Sequence, residues 1–373
     1  MSKSKQKLIS IVLPTLGGGG AERVNIELAR EFLRMGYAVE FVVMQGGGEL
    51  IGIVPEGATV TDLGVPRFRY TVARLRRYFA SRRPDAALVS MWPLTGAALA
   101  ACKLAKVSGR IVVAEHVDFR GAPQLERLSR AFMRTVGRPL YRLADAIVCV
   151  SQGARAALAA EARIPTELIT VIYNPVRPPS DPLPIDDAAL RDWWFGADVR
   201  LIAIGRLIAQ KDHATLIRSF DRVRQRLDAR LLILGEGPQR GMLERLVNEL
   251  GLGDGIRLPG FKHNVASYLD AASVLVLSSR WEGLGNVLIE ALQHGVPVVS
   301  TDCPSGPAEV LEGGRLGTLV AVGDADALAD AIAAAVHAPV NKDALRRAGQ
   351  RYEPRAIAEA YVALLDADRA GTA

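Results

Sequence analysis

The fold is decided by the stretch from Ser278 to Ser300, which reads SSRWEGLGNVLIEALQHGVPVVS. It predicts the end of a strand, a loop, a helix and a second strand. The runs Val274–Leu277 and Val296–Val299 are short and β-branched enough to be buried parallel strands. Apolar residues recur at helical spacing between Val287 and Leu292, and Gly295 is a natural end for that helix.

The loop from Glu282 to Asn286 joins the first strand to the helix. Gly283 and Gly285 allow a ligand to approach the backbone, and the first N–H groups of a helix attract phosphate because they lack partners within it. Glu290, one turn into the helix, can accept hydrogen bonds from sugar hydroxyls, while Glu282 can reach another part of the same ligand. The arrangement suggests a nucleotide sugar. Glycine-rich turns are also common in α/β proteins, and a solvated pair of acids is the alternative.

The complete pattern is more specific than the turn. Glu282 and Glu290 stand within Ser-x-x-Glu-Gly-x-Gly-x-x-x-x-Glu-Ala, followed by Gly-Val-Pro-Val-Val. This pattern resembles the signature of the family-four retaining glycosyltransferases, and the resemblance covers nearly the whole chain, more strongly after residue 196. It implies the GT-B fold, which is α/β with two Rossmann-like parallel-sheet domains facing across a cleft. It also implies transfer of a hexose or N-acetylhexosamine from a UDP-linked donor to a glycan or polyprenyl-diphosphate-linked acceptor.

Length and composition agree with two globular domains. The chain has 373 residues, 49% hydrophobic and 23% charged, which exceeds the usual size of one domain. Its three cysteines are far apart and form no C-x-x-C pair, which fits a reducing cytosol and argues against a zinc site. The expected location is therefore cytoplasmic, and peripheral attachment to the inner face of the membrane is left open.

The amino end superficially resembles a signal peptide. Its apolar part is short, contains Pro14 and runs into four glycines, so a buried first strand is predicted instead. The longest uncharged run, Ala86 to Cys102, carries Pro93 and Gly96, and no transmembrane helix is predicted.

Strands alternate with helical segments in both halves, which predicts a doubly wound parallel sheet in each. A proline-rich break lies between Asn174 and Pro184. The predicted divisions are an acceptor-binding domain at 1–177, a linker at 178–196, a nucleotide-sugar-binding domain at 197–352, and a carboxyl-terminal helix at 353–373 that packs back toward the amino domain. The predicted strands are Leu8–Pro14, Val39–Val43, Ala86–Ser90, Arg110–Ala114, Ala146–Val150, Ile169–Tyr173, Val199–Ile204, Arg230–Leu234, Ile256–Leu258, Val274–Leu277, Val296–Ser300 and Thr318–Val320.

Two cations follow the first strand of the second half. Arg206 and Lys211 can neutralise a diphosphate in the crevice that holds the 282–290 loop, and their Gly-Arg-x-x-x-x-Lys spacing matches the family motif. A surface pair is the alternative. No Asp-x-Asp follows a strand, so neither a metal nor a cofactor is expected. The donor-binding residues that the resemblance implies are Arg206, Lys211, Gly283, Leu284, Gly285, Asn286, Val287, Glu290, Phe261 and Lys262.

The acceptor side is predicted from the first half. The segment Gly19-Gly20-Ala21-Glu22-Arg23 resembles the acceptor loop of the family, and it implies acceptor contacts for Gly19, Gly20 and Glu22; a turn that needs glycine is the alternative. It is neither a P-loop nor a clean G-x-G-x-x-G with an acid at the right distance. His116 follows a strand where such sheets bind ligands. The resemblance implies a catalytic role for His116 and for Glu282 on the transferred sugar.

The first half is basic, since residues 1–174 carry a net charge of +10 and residues 175–373 one of −4. Arg127, Arg130, Arg134 and Arg138 share one predicted helix face, with Leu125, Leu128, Phe132 and Val136 expected to pack on the other. A second group comprises Arg67, Arg69, Arg74, Arg76, Arg77, Arg82 and Arg83. Both groups suggest contact with anionic lipid headgroups or a lipid diphosphate, and place Arg127, Arg130 and Arg134 at the acceptor. A solvated helix face is the alternative. Few aromatics are interleaved, so nucleic acid is not expected.

Three other functions are alternatives to the transferase. A nucleotide-sugar epimerase on the same fold would need no acceptor surface, and a nucleotide-sugar-binding module would lack turnover. The presence of Arg206, Lys211, Glu282 and Glu290 argues against loss of catalysis. A dinucleotide-dependent dehydrogenase is disfavoured because its fingerprint is missing. Front-face attack and double displacement both remain open for the transferase.

Overall fold

The computed structural model describes residues 6–116, 126–179, 184–185, 187–262 and 264–367, with the backbone alone for 126–130. Its strands are β1 Leu8–Leu13, β2 Ala38–Val43, β3 Ala58–Asp62, β4 Ala86–Ser90, β5 Arg110–Glu115, β6 Ala146–Cys149, β7 Ile169–Val171, β8 Val199–Ile204, β9 Ala229–Leu234, β10 Ile256–Gly260, β11 Val274–Leu277, β12 Val298–Thr301 and β13 Thr318–Val320. Its α-helices are α1 Gly20–Arg34, α2 Thr71–Arg82, α3 Leu94–Ala105, α4 Glu126–Tyr141, α5 Gln152–Ala162, α6 Ala188–Phe195, α7 His213–Arg224, α8 Arg240–Glu249, α9 Ala266–Ala271, α10 Asn286–His294, α11 Pro307–Val310, α12 Ala325–His337, α13 Lys342–Gly349 and α14 Pro354–Leu365.

The chain forms two compact units. Unit 1 comprises Met1–Val176 and Tyr352–Ala373, and unit 2 comprises Arg177–Arg351. The sheet of unit 1 has the strand order β3-β2-β1-β4-β5-β6-β7, and that of unit 2 the order β10-β9-β8-β11-β12-β13. All of these strand pairs are parallel. The prediction of two parallel sheets with helices between their strands is confirmed.

Each sheet is covered on both faces, and unit 1 shows how the sequence achieves this. Successive residues of a strand point to opposite faces. In β1, Val12 belongs to the core that contains Phe79 of α2, whereas Ile11 belongs to the core that contains Phe32 of α1 and Tyr361 of α14. Strands buried on both faces need apolar residues at nearly every position, which is why they were visible in the sequence as short apolar runs.

The edge strand β3 was not predicted. Its sequence Ala-Thr-Val-Thr-Asp lacks an apolar run, and every residue in it is partly or fully exposed. An edge strand is paired on one side only and can remain polar, so it leaves a weaker signal than a buried strand. Its backbone pairs with β2 from Ala58 to Asp62.

The two segments at the predicted domain boundaries are helical in part. Within residues 178–196, α6 buries the side chain of Trp194 completely. At the other end of the chain, α14 belongs to unit 1 and buries Ile357 and Tyr361 there. Its last turn is tied down by a hydrogen bond of 2.7 Å from Arg110 Nε to the Leu364 carbonyl oxygen.

Candidate active site

The centre of unit 2 is the point where its strand order reverses. β8 lies between β9 and β11, so the loops that follow β8 and β11 leave the same edge of the sheet side by side. Ligands of open α/β sheets bind at such a point, at the carboxyl ends of the strands. These two loops carry Arg206, Lys211 and Glu282, which are among the predicted site residues.

Hydrogen bonds join the two loops into one body. Ser278 Oγ donates to the Lys211 carbonyl oxygen, Arg280 N donates to the Gln210 carbonyl oxygen, and Gln210 Nε2 donates to the Trp281 carbonyl oxygen, each at 2.8 Å. Because backbone groups of both loops take part, neither loop can shift without breaking bonds to the other. The site is therefore held in place before any ligand binds.

Lys211 and Glu282 form an ion pair at this point. The distance from Lys211 Nζ to Glu282 Oε1 is 2.5 Å, and the side chains are 17% and 7% exposed. The stem of the lysine packs over Gly205, where an added Cβ would lie 3.2 Å from Lys211 Cε. The structure thus brings together a cation and a carboxylate predicted for the site, in surroundings that strengthen their electrostatic action.

Helix α10 begins beside this pair. Its cap is Gly285, with φ +86°, and no side chain of the described residues caps the helix. Leu284 and Val287 bury their side chains, so their backbone groups are what they can offer a ligand. A helix start whose cap carries no side-chain oxygen suits an anion, and the preceding Gly283 lets the anion approach the backbone.

The other predicted donor residues occupy different parts of unit 2. Glu290 lies half-buried one turn into α10, and Arg206 is exposed, with a guanidinium that makes no hydrogen bond or ion pair to the described residues. Phe261 and Lys262 follow β10, which is separated from β8 by β9. Lys211 and Glu282 are a predicted pair in direct contact.

Sequence analysis missed the residues that support Glu282. Ser279 Oγ donates to Glu282 Oε1 at 2.6 Å, and Thr301 Oγ1 donates to the Ser279 carbonyl oxygen at 2.6 Å. The loop after β12 also contributes, because Glu282 N donates to the Pro304 carbonyl oxygen at 3.4 Å. The spacing Ser-x-x-Glu held a signal for the first contact, whereas the others join distant parts of the chain.

Unit 1 has its own reversal of strand order, at β1 and β4. The loop after β1 ends at the predicted Gly19, and the predicted Gly20 and Glu22 lie in the first turn of α1. A Cβ added to Gly19 would lie 2.4 Å from Glu22 Oε2, and one added to Gly18 would lie 2.5 Å from Glu49 Oε2. Two carboxylates therefore fold over the glycine loop, and Glu49 was not predicted.

His116 lies directly after β5 in unit 1. Burial lowers the pKa of His116 to about 4, and the Asn174 side chain opposes the shift. The imidazole is therefore neutral at neutral pH, and it can donate or accept a hydrogen bond without carrying charge.

The preceding Glu115 is a buried polar anchor that sequence analysis did not identify. It accepts hydrogen bonds from Trp92 N at 2.9 Å and from Thr95 Oγ1 and the Tyr141 hydroxyl at 2.7 Å each. Burial raises the pKa of Glu115, while these three donors oppose that change. Glu115 thus fixes the strand end from which His116 emerges.

The predicted orientation of helix α4 is corrected by the structure. Phe132, expected on the packed face, is 52% exposed and lies against Trp92, with 5.9 Å between ring centroids. The buried face contains Met133 and Tyr141 instead. Val136 of the predicted packed face is half-buried, and the side chains of Leu125 and Leu128 lie outside the described residues. The prediction is therefore wrong for Phe132.

Two of the four predicted arginines of α4 have side chains that the structure describes. Arg134 makes hydrogen bonds of 2.8 and 3.1 Å to the two carboxylate oxygens of Glu161, and Arg138 is exposed. The side chains of Arg127 and Arg130 lie outside the described residues. Arg134 therefore has a partner within unit 1, which weakens the case for an acceptor contact by this residue.

Comparison with known proteins identifies the family. A model described as "Glycosyltransferase Family 4" matches residues 18–179, and one described as "Glycosyl transferases group 1" matches residues 198–338. The matches cover most of the chain and fall in both units. The chain belongs to glycosyltransferase family 4. It is a glycosyltransferase, as the sequence predicted.

Similar proteins are found in bacteria and in an archaeon. The amylovoran biosynthesis glycosyltransferase AmsD of Erwinia amylovora is 24% identical over 82% of this chain and 84% of its own length. The N-acetylgalactosamine-N,N'-diacetylbacillosaminyl-diphospho-undecaprenol 4-alpha-N-acetylgalactosaminyltransferase of Campylobacter jejuni is 34% identical over 49% of this chain and 48% of its own. An uncharacterised glycosyltransferase of Methanocaldococcus jannaschii is 46% identical over 30% of this chain, and the match spans only 27% of that relative.

Solved structures show the same fold. Anabaena HepE in complex with UDP and glucose has a TM-score of 0.81 at 20% identity, over 97% of this chain and all of that one. A sucrose-phosphate synthase of Thermosynechococcus elongatus has a TM-score of 0.76, also at 20% identity, over 96% of this chain and 98% of that one. The family 4 glycosyltransferase therefore has the GT-B fold, and the predicted fold class is confirmed. Within the described ranges, no helix is long and apolar enough to cross a membrane.

Proposed function

We propose that this glycosyltransferase moves a hexose or N-acetylhexosamine from a UDP-sugar to a lipid-linked glycan, with retention of anomeric configuration. The Lys211–Glu282 pair, at the carboxyl end of β8 and β11 and beside the glycine-capped start of α10, carries the proposal. HepE was solved with UDP and with UDP-glucose, and the Campylobacter relative is named for a diphospho-undecaprenol acceptor. Both observations support the donor and acceptor classes proposed here.

Each part of the donor has a proposed partner. The diphosphate lies at the start of α10, where Lys211 and Arg206 neutralise its charge. Glu290 accepts hydrogen bonds from the ribose hydroxyls, and Phe261 and Lys262 border the base. Glu282 contacts the transferred sugar, and the catalytic role of His116 stays a prediction from the sequence.

The chemistry follows from these charges. The bond between the anomeric carbon and the diphosphate oxygen breaks, the acceptor oxygen bonds to that carbon, and the hydroxyl proton passes to a phosphate oxygen on the same face. Positive charge develops on the sugar beside the Glu282 carboxylate, and negative charge develops on the diphosphate beside Lys211. Mutational precedents assign about 3–4 kcal/mol to one donor at a developing anion. No side-chain base and no metal ion are required by this route.

Enzymatic assay tests the proposal. UDP release is measured over a panel of UDP-hexoses and UDP-N-acetylhexosamines, with and without a polyprenyl-diphosphate-linked glycan, and NMR gives the anomeric configuration of the product. We expect acceptor-dependent release with retention. We also expect the Glu290→Ala variant to bind UDP at least about tenfold more weakly, since two ribose hydroxyls lose their acceptor.

Glu249→Ala is the control for Glu290→Ala. Glu249→Ala removes an exposed glutamate at the end of α8 and should leave UDP binding unchanged. Interconversion of donor epimers without transfer would identify an epimerase. Binding of UDP-sugars without turnover of any kind would identify a binding module.

We further propose that unit 1 binds an anionic membrane through the segment from Arg67 to Arg77. Phe68 and Tyr70 are 54% and 43% exposed there. Arg74, Arg76 and Arg77 are also exposed and form no ion pair with the described residues. Exposed aromatic rings beside unpaired arginines are the composition of an interfacial segment.

Vesicle sedimentation tests the membrane proposal. The variant with Arg74, Arg76 and Arg77 changed to Gln should bind anionic vesicles about tenfold to hundredfold more weakly, because each cation near the surface contributes about 1 kcal/mol. Its UDP affinity should not change. The variant with Arg127, Arg130 and Arg138 changed to Gln removes the same charge from α4 and should lose less. A larger loss for the α4 variant would assign the membrane contact to α4.

A further inference from the structure

We propose that Ser279 is a positioning residue that reserves one oxygen of Glu282 for a hydroxyl of the transferred sugar. The proposal rests on the function proposed above and specifies how the donor sugar is recognised. According to this proposal, Glu282 Oε1 keeps its hydrogen bonds within the protein when the donor binds, and Glu282 Oε2 accepts the hydrogen bond from the substrate.

The two carboxylate oxygens have different surroundings. Oε1 accepts hydrogen bonds from Ser279 Oγ at 2.6 Å and from Lys211 Nζ at 2.5 Å. Oε2 forms no hydrogen bond to any residue that the structure describes. A carboxylate oxygen accepts about two hydrogen bonds, so Oε1 is filled and Oε2 has capacity left. The Glu282 side chain is 7% exposed, so a substrate hydroxyl that reaches Oε2 makes a hydrogen bond to a charged group in a largely buried side chain.

Ser279 is itself fixed by the sheet. It is fully buried and stands two residues after the end of β11. Its carbonyl oxygen accepts the hydrogen bond from Thr301 Oγ1, at the end of β12. The hydroxyl that orients Glu282 is therefore attached to two neighbouring strands, and the orientation of the carboxylate does not depend on a ligand.

The neutral Ser279 hydroxyl is needed as a donor because Lys211 must also bind the diphosphate. If Lys211 alone held Glu282, the carboxylate would be free to rotate and offer either or both oxygens to the ammonium group. The hydrogen bond from Ser279 prevents that rotation. Lys211 has three N–H donors, so it can keep one on Oε1 and direct the others to the diphosphate.

Ser279→Ala tests the proposal with the best donor of the panel and its monodeoxy analogues. We expect kcat/KM for the complete donor to fall about tenfold, which is the size of one hydrogen bond to a charged group, while the Kd for UDP changes less than twofold. The loss should nearly vanish for the deoxy donor that lacks the hydroxyl bound by Oε2. Such selectivity for one hydroxyl is not expected of a residue that only supports the fold.

Ser278→Ala is the matched control, since Ser278 is also buried but donates to the Lys211 carbonyl oxygen. Any loss in this variant should be equal for all donors. An equal loss over all donors in Ser279→Ala, or a weakened UDP affinity, would overturn the proposal. Calorimetry of the unmodified protein separates the two hypotheses: absence of UDP binding refutes the proposed function, whereas UDP binding together with an equal loss over all donors in Ser279→Ala refutes the role of Ser279 alone.

Discussion

Lys211→Ala is expected to lower kcat for glycosyl transfer by about 10²- to 10³-fold, the range seen when one stabilising donor at a developing oxyanion is removed. In the proposed reaction the departing diphosphate gains negative charge in the transition state. Lys211 is a cation held by the protein at the strand ends where we propose that this charge forms. Its side chain is only 17% exposed, so solvent screens the interaction less than at an open surface.

The kinetic pattern distinguishes the roles of Lys211. If the lysine acts chiefly on the transition state, kcat and kcat/KM fall by the same factor, whereas a lysine that only binds the donor would raise KM with kcat unchanged. UDP release measured over a range of donor concentrations, at saturating acceptor, gives both kcat and kcat/KM. Lys103→Ala, an exposed lysine of unit 1, is the control and should retain full activity. A kcat within tenfold of the unmodified enzyme would contradict the assignment.

Stability has to be measured in parallel, because Lys211→Ala leaves Glu282 buried without its cation. Breaking one side of a buried ion pair typically costs about 3–5 kcal/mol. The hydrogen bond from Ser279 to Glu282 remains and reduces that cost. Kinetics should therefore be compared at a temperature where melting curves show both variants fully folded.

The sequence predicted most of the fold because the strands are buried on both faces. Ala86–Ser90, Val199–Ile204 and Val274–Leu277 have the predicted bounds. Strand β3 was missed because an edge strand requires no apolar run. In α4, Leu, Phe and Val at helical spacing predicted a packed face that included Phe132, yet Phe132 is exposed. Periodicity gives the helix, but the surroundings decide which of two adjacent apolar stripes becomes buried.

At the candidate site, the sequence predicts the residue types but not the contacts between them. The residue types of the donor site could be taken from the motif, but the contact between Lys211 and Glu282 joins residues 71 positions apart. Only the order of strands in the sheet brings the two loops together. Ser279 lay within the quoted motif, and its role became visible only from the distance to Glu282 Oε1. Local sequence thus specifies which groups are present, and topology specifies which groups meet.

The loop after β12 leads to the second large expected effect. Gly306 has φ +73°, and a Cβ added there would lie 2.3 Å from the Leu284 carbonyl oxygen. Leu284 stands between Glu282 and the start of α10, so Gly306→Ala must displace either the 282–285 loop or the loop after β12. A shift of about 1 Å in a catalytic group can lower activity about 10²-fold. We expect a loss of that size in kcat/KM.

Gly313→Ala is the control for placing alanine at a positive φ. Gly313 has φ +65°, close to that of Gly306, but no atom lies within 4 Å of its added Cβ. Both variants place alanine at positive φ. Gly313 is in the left-handed region, with ψ +23°, where alanine costs about 1–2 kcal/mol. Gly306 has ψ −71°, a rarer and more strained conformation, and only Gly306→Ala also pushes on the site. Melting temperature and kcat/KM should therefore diverge: both variants lose some stability, and only Gly306→Ala loses most of its activity. Equal kinetics in the two variants would show that the position of Leu284 does not govern the placement of Glu282 and α10.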